Sequence, residues 1–435
     1  MKTGIDLPLG EKLKQIRNAR KLTQEQVGAF VKYTGSNISF IESGRITCDP
    51  EILPTIRKFL KVDKMPLFES ERPSFKYELS KLYNHTSERE FEAANEIKKK
   101  LADIIYLPFD QELIALYELF ICRLLLGEKK DEEAKAILNK YAPIEDEFTD
   151  ELKYYYYNIL GTLRFRVADY KEALAFYLKS QKLIKDDYDG IEPVYLNIST
   201  CLSRLGYTVS SVMFLEDIEK ISKGRANFTG LHRDHKLAIE YINLGHLRRA
   251  KDLLDKCYIN VKKVIDEKTS NNLTDYKIMY GAILHNYGCL YFKAADWNMA
   301  IKYLDQALDY FERKSVYYLD VLCTKILCLI EMECPSKCRG LVAEGRELSQ
   351  GNKYYTIMLE SLEHLTTPND IKSINYIETI TLPYFLEIQD NISALYYCEF
   401  LRKQFEKKEL STKALQMSEI ARTIYKDKVE GGVFL

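Results

Sequence analysis

The stretch LTQEQVGAFVKYTGSNISFIESG, residues 22–44, decides the fold of the N-terminal part of the chain. Thr23 stands three residues before Gln26, which is the spacing of a capping box at the start of a helix. Thr34 is a second candidate N-cap, and Gly44 is a typical residue just after a helix end. The stretch therefore predicts two short helices joined by a tight turn, with the second helix running between Thr34 and Gly44.

The flanking segments complete a small helical unit. Leu13 and Ile16 recur at helical spacing and predict a preceding helix. After the quoted stretch, CDPEILPTIRKFLKVD, residues 48–63, predicts two further short helices that supply the rest of an apolar core.

The outward face of the helix after Thr34 carries a bare phenylalanine. Ile38 and Ile41 share one face and are expected to be buried. The opposite face then presents Ser36, Ser39, Phe40 and Ser43. An exposed aromatic ring fits a surface that contacts another molecule, and the alternative is that Phe40 packs against a neighbouring domain.

Residues 22–44 resemble, in register and without gaps, the helix-turn-helix of phage-repressor and xenobiotic-response-element (XRE) type regulators. The trailing KFLKVD, residues 58–63, matches the same pattern. The resemblance implies a DNA-binding head whose third helix enters the major groove, with Gln24, Ser36 and Phe40 toward bases. The full set that it implies for DNA contact is Arg17, Gln24, Lys32, Gly35, Ser36, Asn37, Ser39, Phe40, Ser43 and Arg45. Lys32 departs from the pattern, because the family has glycine there, and it is expected at positive φ.

The charge distribution agrees with a nucleic-acid contact at one end of the chain. The 435 residues carry a net charge of -1, with Lys+Arg 63 and Asp+Glu 64. The first 64 residues hold 12 Lys/Arg and 7 Asp/Glu, so the remainder is acidic. A basic head on an acidic body is typical of DNA binding confined to the head.

Apolar runs and cysteines bear on where the protein works. The sequence lacks an apolar run of about 18 residues and a signal-peptide core, so we expect a cytoplasmic protein. The ten cysteines lie scattered through helical patterns and are expected to be reduced. Cys323, Cys328, Cys334 and Cys338 are dense, but their spacing lacks the paired C-x-x-C of a zinc site. We therefore expect no metal or other cofactor, with zinc as the less favoured alternative.

From about Ser74 onward the pattern is helical and repetitive. Residues 154–184 and 284–311 resemble tetratricopeptide repeats. Small turn residues that would end the first helix of each pair are Gly127, Ala168, Gly206, Gly245 and Ala295, with looser turns near Glu333 and Gln389. The predicted fold is all-α: a helix-turn-helix domain at residues 1–66, a linker helix region at 67–110, and a tetratricopeptide-like superhelix at 111–435.

The first helix of each repeat is expected to line a groove. Asn197 and Asn286 each lie nine residues before a turn residue, so they occupy equivalent positions. A side-chain amide both donates and accepts, which suits the backbone of an extended peptide. The predicted peptide-binding set is Asn158, Arg166, Asn197, Arg204, His235, Lys236 and Asn286. The alternative is that these asparagines cap or bridge neighbouring repeats.

A repressor-type head on a tetratricopeptide-like body resembles the peptide-pheromone receptors of Gram-positive bacteria, the Rgg, PlcR, PrgX and NprR group. The resemblance implies a dimeric quorum-sensing regulator that binds operator DNA and a short signalling peptide. Alternatives are a response-regulator-binding protein or phosphatase of the Rap or NprR type, a phage arbitrium-type regulator, and a scaffold for a protein partner. The sequence contains neither a phosphate loop nor a His-Glu metal motif, so we predict no catalytic residues and no enzymatic activity.

Overall fold

The computed structural model describes residues 7–63, 65–102, 110–185, 190–222, 228–270, 272–349 and 351–430. Within these ranges every regular element is helical and no strand occurs, which confirms the predicted all-α class. No helix in the described part of the chain is long and apolar enough to cross a membrane. The chain divides into two compact units, residues 1–194 (unit 1) and 195–435 (unit 2).

Unit 1 begins with a four-helix head. Its helices are α1 (Leu9–Ala19), α2 (Gln24–Phe30), α3 (Gly35–Glu42) and α4 (Leu53–Phe59). The capping box at Thr23 and the cap at Thr34 are confirmed, and Gly44 follows α3 with φ 68°. Lys32 adopts φ 60° in the turn before α3, as predicted.

The prediction of two helices within residues 48–63 was wrong, because α4 is the one helix that the structure shows there. The Asp49 side chain accepts the N–H of Glu51 at 2.9 Å, and the Asp49 carbonyl accepts the N–H groups of Ile52 and Leu53 at 3.1 Å. These bonds make residues 49–52 a turn. Pro54 then lies in the first turn of α4, where a missing N–H costs nothing.

The head packs tightly enough to require glycine where α1 meets α3. A Cβ on Gly10 would lie 2.1 Å from the Ile41 carbonyl oxygen, so any side chain would push the two helices apart. Leu13 and Ile16 are buried against Ile38 and Ile41, as predicted.

The rest of unit 1 continues as consecutive helices. They are α5 (Arg72–Ser87), α6 (Phe91–Ala102), α7 (Gln111–Gly127), α8 (Asp131–Tyr141), α9 (Asp150–Arg166) and α10 (Tyr170–Gln181). Helices α5, α7 and α9 contact one another side by side.

A buried charge cluster joins α5 to the start of α7. Arg72 donates to Asp110 and, at 2.7 Å, to Glu112, and all three side chains are almost fully buried. Lys12 of α1 donates to the Leu67 carbonyl at 2.7 Å, close to the same cluster. Lys12 of the head therefore lies near the buried cluster between α5 and α7.

Unit 2 holds a longer helical array, and its first helix starts just before the division between the units. The helices are α11 (Ile191–Arg204), α12 (Thr208–Ser222), α13 (Phe228–Asn243), α14 (Leu247–Glu267), α15 (Leu273–Lys293), α16 (Trp297–Leu308), α17 (Val316–Glu331), α18 (Pro335–Ser349), α19 (Lys353–Leu365), α20 (Ile371–Tyr376), α21 (Leu382–Glu387), α22 (Asn391–Lys407) and α23 (Ser411–Glu430). A π turn, Ile377–Thr381, joins α20 to α21.

Alternate helices of unit 2 form a layer of their own. Each helix from α13 to α19 packs against the next in the chain, and α13, α15, α17 and α19 also contact one another in sequence. The first helices of successive pairs therefore lie side by side, which is the arrangement that stacks repeats around a common face.

Most of the predicted turn residues have the left-handed backbone that ends a helix. Positive φ occurs at Ala168, Gly206, Gly245, Ala295, Glu333 and Gln389. Gly127 was a wrong choice, because it is the last residue of α7 and the turn comes at Lys129, φ 63°. A Cβ on Gly127 would lie 2.5 Å from the Phe91 ring, so this glycine serves helix packing.

The small residues of the two quoted repeats allow close helix contact, as expected. A Cβ on Gly161 would lie 2.7 Å from the Tyr177 ring, and one on Gly288 would lie 2.5 Å from a Leu304 methyl. All ten cysteines are free thiols, as predicted. Burial raises the pKa of Cys122 to about 12, which is typical of an inert core thiol.

Candidate DNA-binding surface and peptide groove

The outward face of α3 presents the predicted phenylalanine to solvent. Phe40 is 42% exposed, and Ser36 and Ser43 are exposed beside it, while Ser39 is half-buried. The Arg45 guanidinium carbon lies 5.7 Å from the centre of the Phe40 ring. The face therefore combines an apolar centre, small hydroxyls and a cation at its edge.

Two of the residues predicted to contact DNA are hydrogen-bonded to Glu42 within the head. Arg17 donates to its carboxylate at 2.6 and 3.0 Å, and to the Leu22 carbonyl at 2.7 Å. Gln24 donates to the same carboxylate at 2.8 Å. The Arg17 side chain is only 11% exposed, and the bond to Glu42 raises the pKa of Arg17. We therefore withdraw Arg17 as a phosphate contact, since its donors are used within the domain.

Among the other residues predicted to contact DNA, some are exposed to solvent and some make contacts within the head. Lys32 is exposed in the turn before α3. Asn37 is part of the α3 cap, because its N–H donates to the Thr34 hydroxyl at 3.2 Å and its side-chain oxygen accepts from that hydroxyl. Gly35 opens α3, and a Cβ there would lie 2.9 Å from the Glu25 carboxylate.

In unit 2, one stripe of half-buried or exposed residues follows each helix of the alternate layer. The stripes repeat every three or four residues, so the members of each stripe share one side of their helix. We call this surface the inner face, and it comprises His232, Lys236 and Ile239 on α13, Ile278, Ala282, His285 and Cys289 on α15, and Asp320 and Thr324 on α17. Because these helices lie side by side, their stripes form a continuous surface.

Most groups near the middle of the inner face are neutral. His285 and Thr324 are hydrogen-bonded at 3.1 Å from Nε2 to Oγ1, which connects α15 to α17. Burial lowers the pKa of His285 to about 4 and raises that of Cys289 to about 12, so both are uncharged at pH 7. Asp320 accepts a hydrogen bond from the Tyr355 hydroxyl at 2.8 Å.

Comparison with known proteins found similarity for the head and for most of the chain. Residues 8–65 match the model of a helix-turn-helix domain. The transcriptional activator NprA of Geobacillus stearothermophilus is 24% identical over 411 residues, covering 88% of this chain and 96% of NprA. This similarity extends over most of both chains.

Solved structures share the fold of this chain. NprR in complex with its cognate peptide NprX has a TM-score of 0.62 at 17% identity, covering 80% of this chain and 99% of NprR. A Rap protein complexed with the competence and sporulation factor has a TM-score of 0.66 at 16% identity, covering 82% of this chain and 99% of that one. At these identities the likeness supports the fold, which agrees with the predicted helical superhelix.

Four of the seven residues predicted to contact a peptide serve packing instead. The Asn286 amide nitrogen lies 2.5 Å from His235 Nε2, and both residues are buried between α13 and α15. Burial lowers the pKa of His235 to about 4, so a neutral ring accepts this hydrogen bond. Asn158 donates to the Tyr83 hydroxyl at 3.2 Å and thereby joins α9 to α5 in unit 1.

Arg166 also closes a contact between repeats, since its guanidinium donates to Asp131 at 2.5 Å and to the Leu126 carbonyl at the end of α7. The spacing from a turn identified the correct helix in each case. It did not identify the side of the helix, because one residue of offset rotates a side chain by about 100°. His285, next to Asn286, is the residue on the inner face.

Of the other predicted residues, Arg204 is exposed at the end of α11, while Lys236 on α13 and Asn197 on α11 are half-buried. The sequence patterns did not predict the inner-face positions of His285, Cys289, Asp320 and Thr324. Their signal was the recurrence of polar residues on one stripe of otherwise apolar helices.

The Asn286–His235 contact makes Asn286 a stability residue. We expect Asn286→Ala to lower the free energy of unfolding by about 1–3 kcal/mol, because a buried ring nitrogen loses its donor. Thermal melts followed by the fluorescence of Trp297, the only tryptophan, report on unit 2. Asn298→Ala, at an exposed position of α16, is the control. Equal melting temperatures for the two variants would contradict the structural role.

Proposed function

We propose that this chain is a quorum-sensing transcription regulator whose head binds operator DNA and whose inner face binds a short signalling peptide. The observation that carries the proposal is the pairing of an exposed α3 face, in a helix-turn-helix domain, with a continuous inner face in the repeat array. Two relatives support it, because NprA is named a transcriptional activator and NprR was solved with its cognate peptide.

For the DNA contact we retain the residues whose side chains reach solvent around α3. Ser36 and Phe40 face the bases, with Phe40 suited to a thymine methyl group. Lys32, Ser43 and Arg45 flank them and suit phosphate oxygens. Gln24 is half-buried, and its amide nitrogen donates one hydrogen bond to Glu42. Its remaining amide atoms are the ones that contact DNA.

The proposed regulator is cytoplasmic and acts as a homodimer. One short recognition helix with weak base readers provides little specificity, whereas two half-sites about 34 Å apart double the contact. We assign DNA binding to residues 1–66, the linker to 67–110, and peptide binding and dimerisation to 111–435. Sedimentation of the full chain at micromolar concentration tests the dimer, and a monomer there would contradict it.

The function is tested by selecting bound sequences from a random DNA library with the purified chain. We expect enrichment of a site with two related half-sites, and a DNA affinity that changes when the cognate peptide is added. A protein that enriches no sequence, but binds a response regulator or removes its phosphoryl group, would replace the proposal with the Rap-like alternative.

Arg45 provides a specific prediction for the DNA surface. Arg45→Ala should weaken binding to selected and random DNA about equally and reduce the slope of log K against log salt by roughly 0.9, as loss of one phosphate contact does. Titrations at several salt concentrations measure both effects. Arg248→Ala, an exposed arginine of α14, is the matched control and should leave the slope unchanged. A loss restricted to the selected site would instead make Arg45 a base contact.

A further inference from the structure

We propose that His285 accepts a hydrogen bond from a backbone N–H of the bound peptide, through a ring nitrogen whose protonation state is fixed by Thr324. The inference rests on the proposed function, since it specifies how the centre of the inner face would hold its ligand. Its first part, the position of the proton on the ring, concerns the free protein and is tested without a peptide.

The hydroxyl of Thr324 determines which nitrogen of His285 carries the proton. Thr324 Oγ1 lies 2.9 Å from the carbonyl oxygen of Asp320, one turn earlier on α17. A carbonyl oxygen only accepts, so the single hydroxyl proton is donated to it. Thr324 Oγ1 also lies 3.1 Å from His285 Nε2, and it accepts there because its own proton is already used. His285 therefore carries its proton on Nε2.

The other ring nitrogen of His285 is left as an acceptor. Burial lowers the pKa of His285 to about 4, so the ring is neutral at pH 7 and holds one proton. Because that proton is on Nε2, Nδ1 has a free lone pair. Within the described residues, His285 makes no second side-chain hydrogen bond. In the same part of the chain, the buried side-chain atoms without a partner belong to Arg57 and Glu240, so Nδ1 reaches solvent.

The surroundings of Nδ1 suit a peptide backbone. His285 is half-buried on the stripe of α15, between Ala282 and Cys289. Ala282 has no polar side-chain atom, and burial raises the pKa of Cys289 to about 12, so Cys289 is an uncharged thiol. An extended peptide presents a backbone N–H at every residue except proline, so this acceptor needs no particular side chain. Once the peptide excludes water, an Nδ1 atom without a donor is unfavourable, which selects a pose with an N–H opposite it.

The position of the proton is tested in the free protein by NMR with isotope-labelled histidine. The chain has six histidines, and the His285→Gln spectrum identifies the signals of this ring. We expect the proton on Nε2 and a neutral ring from pH 7 to pH 5. Thr324→Val should raise the fraction of rings protonated on Nδ1, because the acceptor of Nε2 is lost, whereas Thr324→Ser should match the parent. A proton on Nδ1 in the parent, or no change in Thr324→Val, would overturn the role of Thr324.

Peptide binding is tested with a synthetic hexapeptide library incubated with the full chain, followed by mass spectrometry of the retained peptides. Six residues match the width of α13, α15 and α17, which is roughly 20 Å at 8–10 Å per helix spacing and about 3.3 Å per extended residue. A retained peptide is then synthesised again with one backbone N–H at a time replaced by N-methyl. We expect one position at which this change weakens binding about tenfold.

Variants of His285 connect that N–H to Nδ1. A glutamine amide lies as far from the backbone as Nε2, and an asparagine amide lies as far as Nδ1. His285→Gln should therefore weaken binding about tenfold, and His285→Asn should weaken it less. His285→Gln should keep the Trp297 melting temperature, because its amide still donates to Thr324. Lys302→Met, at an exposed position of α16, is the control and should bind like the parent.

The two changes should not add when they are combined. The peptide with the sensitive N–H methylated should lose no further affinity in His285→Gln, because both changes remove the same hydrogen bond. Full additivity, or coupling of His285 to a peptide side chain instead, would overturn the backbone contact. If His285→Gln binds the peptide like the parent, the proposed function stands and this contact is wrong. If no peptide is retained from the library, the proposed function and the contact fail together.

Discussion

Replacement of Glu42 by alanine is expected to unfold the head and abolish DNA binding while leaving unit 2 folded. The Glu42 carboxylate is almost fully buried and accepts from both Arg17 and Gln24. Removing one partner of a buried ion pair costs about 3–5 kcal/mol, because the other charge remains unpaired. A head of about 60 residues has little stability beyond that.

The single tryptophan makes this result measurable. Trp297 lies in unit 2, so its fluorescence melt should be unchanged in Glu42→Ala, while far-UV circular dichroism loses an early helical transition. Glu51→Ala, at an exposed position of the head, is the matched control. A Glu42→Ala protein that binds DNA like its parent would show that the buried pair is dispensable.

Replacement of Arg72 by methionine should destabilise unit 1 by about 3–5 kcal/mol, because Asp110 and Glu112 would face each other without a cation. Burial already raises the pKa of Asp110 above its usual value, despite Arg72. A folded-state pKa above the unfolded one means that the protonated carboxyl favours the fold, and that this benefit is lost as pH rises through the folded pKa. Without Arg72 the pKa of Asp110 rises further. The loss of unfolding free energy in the variant should therefore become smaller as pH falls from 7 toward 5.

Chemical denaturation at both pH values, followed by circular dichroism, measures the difference in unfolding free energy between the parent and the variant. Arg164→Met is the control within unit 1, because Arg164 pairs with Glu172 at 3.1 Å on the surface. Exposed pairs of this kind contribute at most about 1 kcal/mol. A deficit that stays constant with pH would show that the two carboxyl groups do not govern it.

Local signals predicted the fold well because they act over a few residues. The caps at Thr23 and Thr34 needed only a hydroxyl three residues before a backbone N–H, and both were confirmed. Ala295 and Glu333 were correctly placed at turns for a similar reason. Gly127 was wrongly predicted as a turn residue, because a glycine also permits a close ring contact, and the sequence does not distinguish that use from a turn.

The site was harder to predict because it depends on contacts between distant segments. Arg17 and Glu42 are 25 residues apart, and nothing in their local patterns indicates that one would hold the other. Asn286 and His285 differ by one position, yet one is buried against His235 and the other lies on the inner face. The side of a helix that faces a groove is set by its neighbours in space, so a single sequence locates the helix before it locates the surface.

The left-handed residues at the helix ends have a consequence for motion. In the described part of the chain, many of these positions hold a residue with a Cβ where glycine would be relaxed: Lys21, Lys32, Lys61, Arg89, Lys129, Ala168, Lys268, Ala295, Glu333, Gln389 and Glu409. Each such residue stores strain of roughly 1 kcal/mol. Relief of this strain favours a change of backbone angles at these turns, so we expect rotation to be concentrated there and the helices between them to stay rigid. Small rotations at several turns add up along the stack, so we expect the ends of a unit to shift without any single large rearrangement.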